Sequence, residues 1–393
     1  MSTRAVSNRA QRFVIVGVLF LVAWSIVTLL DVPRRTTSTL AIYGFVLHVI
    51  FGKAYALVPA YFDRQLAVPL APALQLPLTA GGTVLLAIGG AGAGTPDVTA
   101  LGAVAWAIGA AVFLVAIGWT VRDNLTGTET GTGQANAHRR RIDRAANAVF
   151  PVVLAYLAVG AYDTAIAAVG GPTILAATPS AATHLLAAGV GALMVFTVGF
   201  RLLPRLLVAD PIPALVAVVL PAGAVAPALL AADLGGGTTF RIGAAVQSVA
   251  VVGFATAYAH LLWRSDRDRV GFYGVLAGVI AGVAGVAIGV HLAFAGLDAT
   301  LIEAHWRLNA LGFLGLTIVG VAYCFYPPAI GSFPGANDRT ALASIGAIAT
   351  GLALDTGGLI AGIETAGVAG RLLVVVGVLT VAYLVFGLFW ERR

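Results

Sequence analysis

Residues 305–327 read HWRLNALGFLGLTIVGVAYCFYP. Charge is confined to the start, at His305 and Arg307, and Pro327 closes the run after Tyr323 and Tyr326. About 20 apolar residues in one helix cross the roughly 30 Å hydrocarbon core of a bilayer. The run is continuous rather than alternating every second residue, which selects a helix over a barrel strand. Eleven further runs of this kind occupy the rest of the chain. The twelve lie at 13–30, 40–62, 68–90, 98–121, 145–170, 182–207, 212–232, 240–263, 271–295, 302–326, 340–362 and 370–390. Composition agrees: 59% of the 393 residues are hydrophobic and 10% are charged, against about 25% charged in a soluble domain. The 48 glycines suit helices packed closely in lipid. Disorder, a coiled coil and a disulfide scaffold are excluded. The single cysteine, Cys324, forms no intramolecular bridge and reports no redox compartment. The first run is long enough to span, and no small-residue cleavage pattern follows it before Asp31, so no cleavable signal peptide is expected.

The basic residues orient the spans, because cytoplasmic loops carry the excess of Lys and Arg. With the N-terminus inside, 17 of the 23 basic residues fall on the cytoplasmic side, Arg4, Arg392 and Arg393 among them. Five fall outside (Arg34, Arg35, Arg241, Arg307 and Arg371), and Lys53 lies within a span. The reading is a single membrane domain, 1–393, with both termini cytoplasmic. The formal net charge of +6 then reflects orientation rather than nucleic-acid binding. The 122–144 loop, rich in Gly and Thr and then basic, reads as a flexible cytoplasmic connector attracted to anionic lipid.

The second, sixth and tenth spans share a pattern. Each ends at a proline: Pro59, Pro204 and Pro327. Fifteen residues earlier stand Gly44, Gly189 and Gly312, and four residues earlier Tyr55, Phe200 and Tyr323. Gly52 and Gly320 match seven residues before, where the middle copy has Thr197. A pattern on every fourth span implies three units of four helices, about 10–121, 145–263 and 271–390. It argues against the two-halved plan of many carriers.

Histidines stand at one end of these spans. His184 lies 20 residues before Pro204 and His305 22 before Pro327. The matching positions are Thr37 and Thr39, Ala182, and Arg307. Three converging helix ends are a place to hold a haem or a metal. Here the tenth span resembles the tenth helix of subunit I of the haem–copper oxidases, the C-type oxidases and nitric oxide reductases above all. The sixth span, from His184 through Gly189 to Pro204, is similar to their copper-site helix. The resemblance implies a twelve-helix, pseudo-threefold fold with cytoplasmic termini. It implies His305 as axial ligand of the high-spin haem and His184 at the position of the one copper ligand from that helix. The departures are equally specific. Arg307 stands where the low-spin haem ligand belongs, Thr37 or Thr39 where its partner belongs, and 212–232 holds no histidine. The fold is therefore expected without the oxygen chemistry, with no copper centre, and with enzyme activity not expected.

Other ionisable groups inside spans are functional candidates by default. His48 and Lys53, with Asp163 and Asp355, read as an intramembrane polar path. His291 reads as a neighbour supporting His305. His260 and His138 read as interfacial and loop residues. Arg307 either pairs with a haem propionate or with Glu303, or snorkels to the headgroups, the last being slightly favoured. Two functions follow. One is a single-haem protein that binds or senses a gas, or serves as a subunit beside other membrane or respiratory proteins. The other is a cofactor-free scaffold or a conduit for small solutes or protons. The use of Arg over Lys with abundant Ala and Gly suggests a prokaryotic plasma membrane.

Overall fold

The computed structural model describes residues 3–391, with side chains from residue 8; Arg4, Arg392 and Arg393 lie outside the described side chains. Twelve helices are long and apolar enough to cross a bilayer, and no strand occurs among the described residues. They are α1 (Thr3–Leu29), α2 (Arg34–Tyr61), α3 (Ala71–Gly90), α4 (Pro96–Val121), α5 (Gln134–Ala168) and α6 (Pro179–Leu207). The second half comprises α7 (Pro213–Ala232), α8 (Gly237–Trp263), α9 (Val270–Ala295), α10 (Ala299–Ile330), α11 (Asp338–Ala361) and α12 (Glu364–Glu391). The chain is an integral membrane protein, and its exposed apolar faces suit lipid.

Helices α2, α6 and α10 form the centre. Of their most apolar windows 78%, 83% and 61% is buried, against 39–50% in the other nine helices. The three touch one another. Around them α3 packs on α4, α7 on α8 and α11 on α12. The ring closes through α4 on α5, α8 on α9 and α12 on α1.

Each central helix contains a π-helical stretch: Thr39–Val46, Leu185–Ala192 and Leu308–Leu316. Thr39 lies 20 residues before Pro59, Leu185 19 before Pro204, and Leu308 19 before Pro327. Wider i→i+5 turns are rare and gather at functional sites. The repeated glycine of each helix sits inside its π stretch. A Cβ at Gly44 would lie 2.7 Å from the Phe20 ring of α1, and one at Gly189 2.7 Å from the Tyr156 ring of α5. One at Gly312 would strike Ala281 of α9 and lie 2.9 Å from Leu352. In all three the preceding helix presses on the glycine, which explains why that position stays small.

Two expectations change. Helix α2 begins at Arg34, because Pro33 caps its start with a φ already suited to helix entry. The 122–144 segment is not a loose connector. Its Asn124 amide donates to the carbonyls of Phe62 (3.0 Å) and Glu129 (2.8 Å). Asn147 and Arg201 donate to the Tyr61 carbonyl at 2.7 and 3.0 Å. Arg201 also donates to the Thr130 carbonyl at 2.9 Å, and buried Asp143 accepts from Arg205 at 2.6 Å and from Thr132. The last carbonyls of a helix have no intrahelical partner; Asn147 and Arg201 satisfy that of Tyr61 at the end of α2, and Asn124 of this segment that of Phe62 just beyond it. Outside the spans, Arg139 beside Asp210 holds that carboxyl below its usual range, with His138 adding to the effect.

Where α9 crosses α10, glycines bring backbones together. A Cβ at Gly320 would lie 2.5 Å from the Gly271 carbonyl oxygen and 2.6 Å from the Val275 nitrogen. Neither atom can rotate away. Gly320→Val is therefore expected to cost about 1–3 kcal/mol and lower the melting temperature in detergent. Gly346→Ala, with nothing within 4 Å, should leave it unchanged; equal melting of the two variants would contradict this packing.

Candidate functional site

A cavity of about 890 Å3 opens at the end of the bundle opposite the chain termini. All three central helices line it, through Thr39 and Tyr43, His184 and Ala188, and His305 and Asn309. His305 and His184, paired by the sequence pattern, thus share one chamber.

His305 is held by its surroundings in one orientation. Its Nδ1 lies 2.8 Å from the Gly285 carbonyl oxygen of α9. A carbonyl can only accept, so Nδ1 carries the proton and Nε2 the lone pair. Among the described residues Nε2 has no hydrogen-bond partner. Asn309, one turn on, donates to the His305 carbonyl at 2.8 Å. Small residues on α9 make the room: a Cβ at Gly289 would lie 2.8 Å from His305 Cε1, and one at Gly285 would strike the Asn309 amide. His305 lines the cavity, and anchoring Nδ1 to a carbonyl is how proteins prepare an imidazole as a metal ligand. His184 lines the same cavity, and its Nδ1 is buried without a partner.

Asp163 also borders the cavity but is spent on architecture. Its carboxylate accepts from the backbone nitrogens of Ile174 (2.7 Å), Leu175 (3.1 Å) and Ala176 (2.8 Å), folding the segment after α5 over the cavity rim.

Arg307 departs from its expected place. It does not snorkel, and it does not face the chamber of His305. It is buried, donating to Glu303 at 2.8 Å and to both oxygens of Asp355 at 2.6 Å. Arg371 extends the chain of charges, 3.6 Å from Asp355. These groups line a second cavity, of about 480 Å3, bounded by α1, α2, α10, α11 and α12. Thr37 lines it too. Of the positions that resemblance would assign to a low-spin haem, Arg307 and Thr37 line this chamber, whereas Thr39 lines the cavity of His305.

The remaining candidates are dispersed. His48 is fully buried, its Nδ1 2.9 Å from the Tyr43 carbonyl and its Nε2 3.1 Å from Thr79 Oγ1, among the rings of Phe13, Phe20 and Phe51. Lys53 donates to the Tyr326 hydroxyl at 3.0 Å and lies 4.1 Å from the Phe325 ring centre. At about 100° per residue, five residues separate the two faces: His48 meets α1 and α3, Lys53 meets α10. The structure therefore does not bring His48, Lys53, Asp163 and Asp355 into one path. His291 is exposed and does not line the cavity. Two residues beyond Gly289, it points to the other side of α9, so it does not support His305.

Residues that sequence reasoning did not place at the site are Asn309, Gly285, Gly289 and the pair Arg34–Arg35 at the cavity mouth. A signal for the two glycines was available, since Gly285 and Gly289 form a small-residue face one turn apart. Compared with protein-family models and with curated proteins, the chain matches none.

The buried ion pair gives a direct expectation. Asp355→Leu leaves Arg307 with Glu303 as its one carboxylate partner and should cost about 1.5–3 kcal/mol, the worth of a hydrogen bond to a charged group, read as a fall in melting temperature. The double variant Arg307→Leu/Asp355→Leu should melt higher than Asp355→Leu alone. A double variant that melts lower would show that the pair itself is strongly stabilising.

Proposed function

We propose that the protein is a haem–copper oxidase subunit I-like membrane protein that binds one haem through His305 for the capture or sensing of a small gas. The observation that carries the reading is the His305 imidazole, anchored through Nδ1 in the wall of a cavity of about 890 Å3, within the roughly 300–1,000 Å3 of cofactor sites. His184 lines the same space. When bound, haem would supply an open coordination position for a diatomic gas. The chain's own part is to orient the imidazole, enclose the porphyrin in mainly apolar walls, and present His184 to the ligand. With no histidine on α7, a three-imidazole copper site near His184 is not part of the proposal, nor is oxidase activity.

The proposal includes the pseudo-threefold plan. Its support is the matched register of three π stretches, three glycines pressed by the preceding helix, and the equivalent ring contacts of α4–α5, α8–α9 and α12–α1. Exposed Trp119, Trp263 and Trp390 add to it, each near the end of every fourth helix. Tryptophan collects at membrane interfaces, and these three lie at the end of the bundle that bears the termini. With the Arg-rich loops there, the proposed orientation puts both termini in the cytoplasm and the cavity mouth on the outer face of the plasma membrane.

Haem-supplemented protein should show a Soret band with a high-spin spectrum from one protein axial ligand. His305→Ala should abolish haem retention, whereas exposed His291→Ala should keep it. Absence of a Soret band after supplementation, or full retention in His305→Ala, would overturn the proposal.

A further inference from the structure

The mouth of the His305 cavity is cationic while its depth is mainly apolar. Arg34 and Arg35, both exposed, stand together on the rim, followed on the same helix by Ser38 and Thr39. Among the described residues Arg35 makes no ion pair. Arg34 reaches only Glu303, at 3.8 Å, with half of its side chain exposed. The one carboxylate on the cavity wall, Asp163, is engaged by three backbone nitrogens. No acidic group in the chamber is free to neutralise the two guanidinium groups.

Arg34 also lines the second cavity. There the charges run in alternation, from Arg34 to Glu303, Arg307, Asp355 and Arg371. Every contact in this chain except the first and last is shorter than 3 Å. Arg34 is thus the loose end of a tight ion-pair series and borders both cavities.

We infer that Arg34 and Arg35 form a carboxylate-binding clamp at the mouth, selecting an amphiphile whose apolar body lies beside His305 and whose carboxylates remain at the surface, and that Glu303 competes with this guest for Arg34. The inference rests on the proposed function for the identity of the guest, a dicarboxylate porphyrin. Guanidinium binds carboxylate through parallel charge-assisted hydrogen bonds. Competition follows from charge, because Glu303 at 3.8 Å already offsets part of the Arg34 charge that a guest carboxylate would meet.

The test uses the full-length protein in zwitterionic lipid nanodiscs, with haemin and haemin dimethyl ester as probes. The dissociation rate of each is followed by transfer to a scavenging globin. Haemin should dissociate about tenfold more slowly than the ester, the lower range of a charge-assisted hydrogen bond. Arg34→Gln/Arg35→Gln should remove that difference by speeding haemin alone. Glu303→Gln should slow haemin by about two- to fivefold, the worth of an exposed ion pair, and leave the ester unchanged. A purely structural role for these residues would move both probes together, so that result overturns the inference. Equal rates for haemin and ester in the unaltered protein overturn it while leaving haem binding by His305 intact. Failure of both probes to bind overturns the inference and the proposed function together.

Discussion

Three glycines in contact with side chains of the preceding helix hold the centre of this bundle. Gly44 under Phe20, Gly189 under Tyr156 and Gly312 against Ala281 let α2, α6 and α10 sit close to their neighbours, in a medium where packing rather than hydrophobic exclusion drives helix association. The same three positions fall inside the π stretches. A wider turn adds a residue without breaking the helix, so it alters which face the following side chains present. His184 directly precedes one such stretch and His305 lies three residues before another. The chamber between the helices, and the side chains that reach it, depend on this central packing.

Two neighbouring chambers show opposite solutions to the same geometry. The larger keeps an imidazole nitrogen free and an apolar interior. The smaller brings Arg307, Asp355, Glu303 and Arg371 together. A buried charge without a partner is costly, and a partnered one is tolerated. Arg307 is therefore held by two carboxylates rather than left facing space. The network ties α10 to α11 and α12 by charge.

Spans, glycine register and the paired histidines were readable in the sequence, because hydrophobic length and small-residue spacing are local properties. Orientation of side chains was not. His48 and Lys53 looked like one polar pair by proximity in the chain, yet five residues turn them to different neighbours. His291 looked close to His305, yet the face of α9 that meets His305 is set by Gly285 and Gly289. Arg307 looked interfacial because its partner Asp355 lies 48 residues away. The composition of 122–144 suggested looseness, while its order comes from partners distant in the chain: Phe62 for Asn124, and Arg201 and Arg205 of α6 for Thr130 and Asp143. The five basic residues opposite the termini were an unused signal. Four of them, Arg34, Arg35, Arg307 and Arg371, line the two cavities, so exceptions to a charge bias marked the site.

The central claim is a chamber at the meeting of α2, α6 and α10 that opens away from the chain termini. Cysteine accessibility in intact cells tests it most directly, since the one native thiol, Cys324, is buried. With a membrane-impermeant thiol reagent added outside, His184→Cys should be modified, and Arg64→Cys should react only after the membrane is permeabilised. An inert cysteine at position 184, or the reverse order of labelling, would contradict the account.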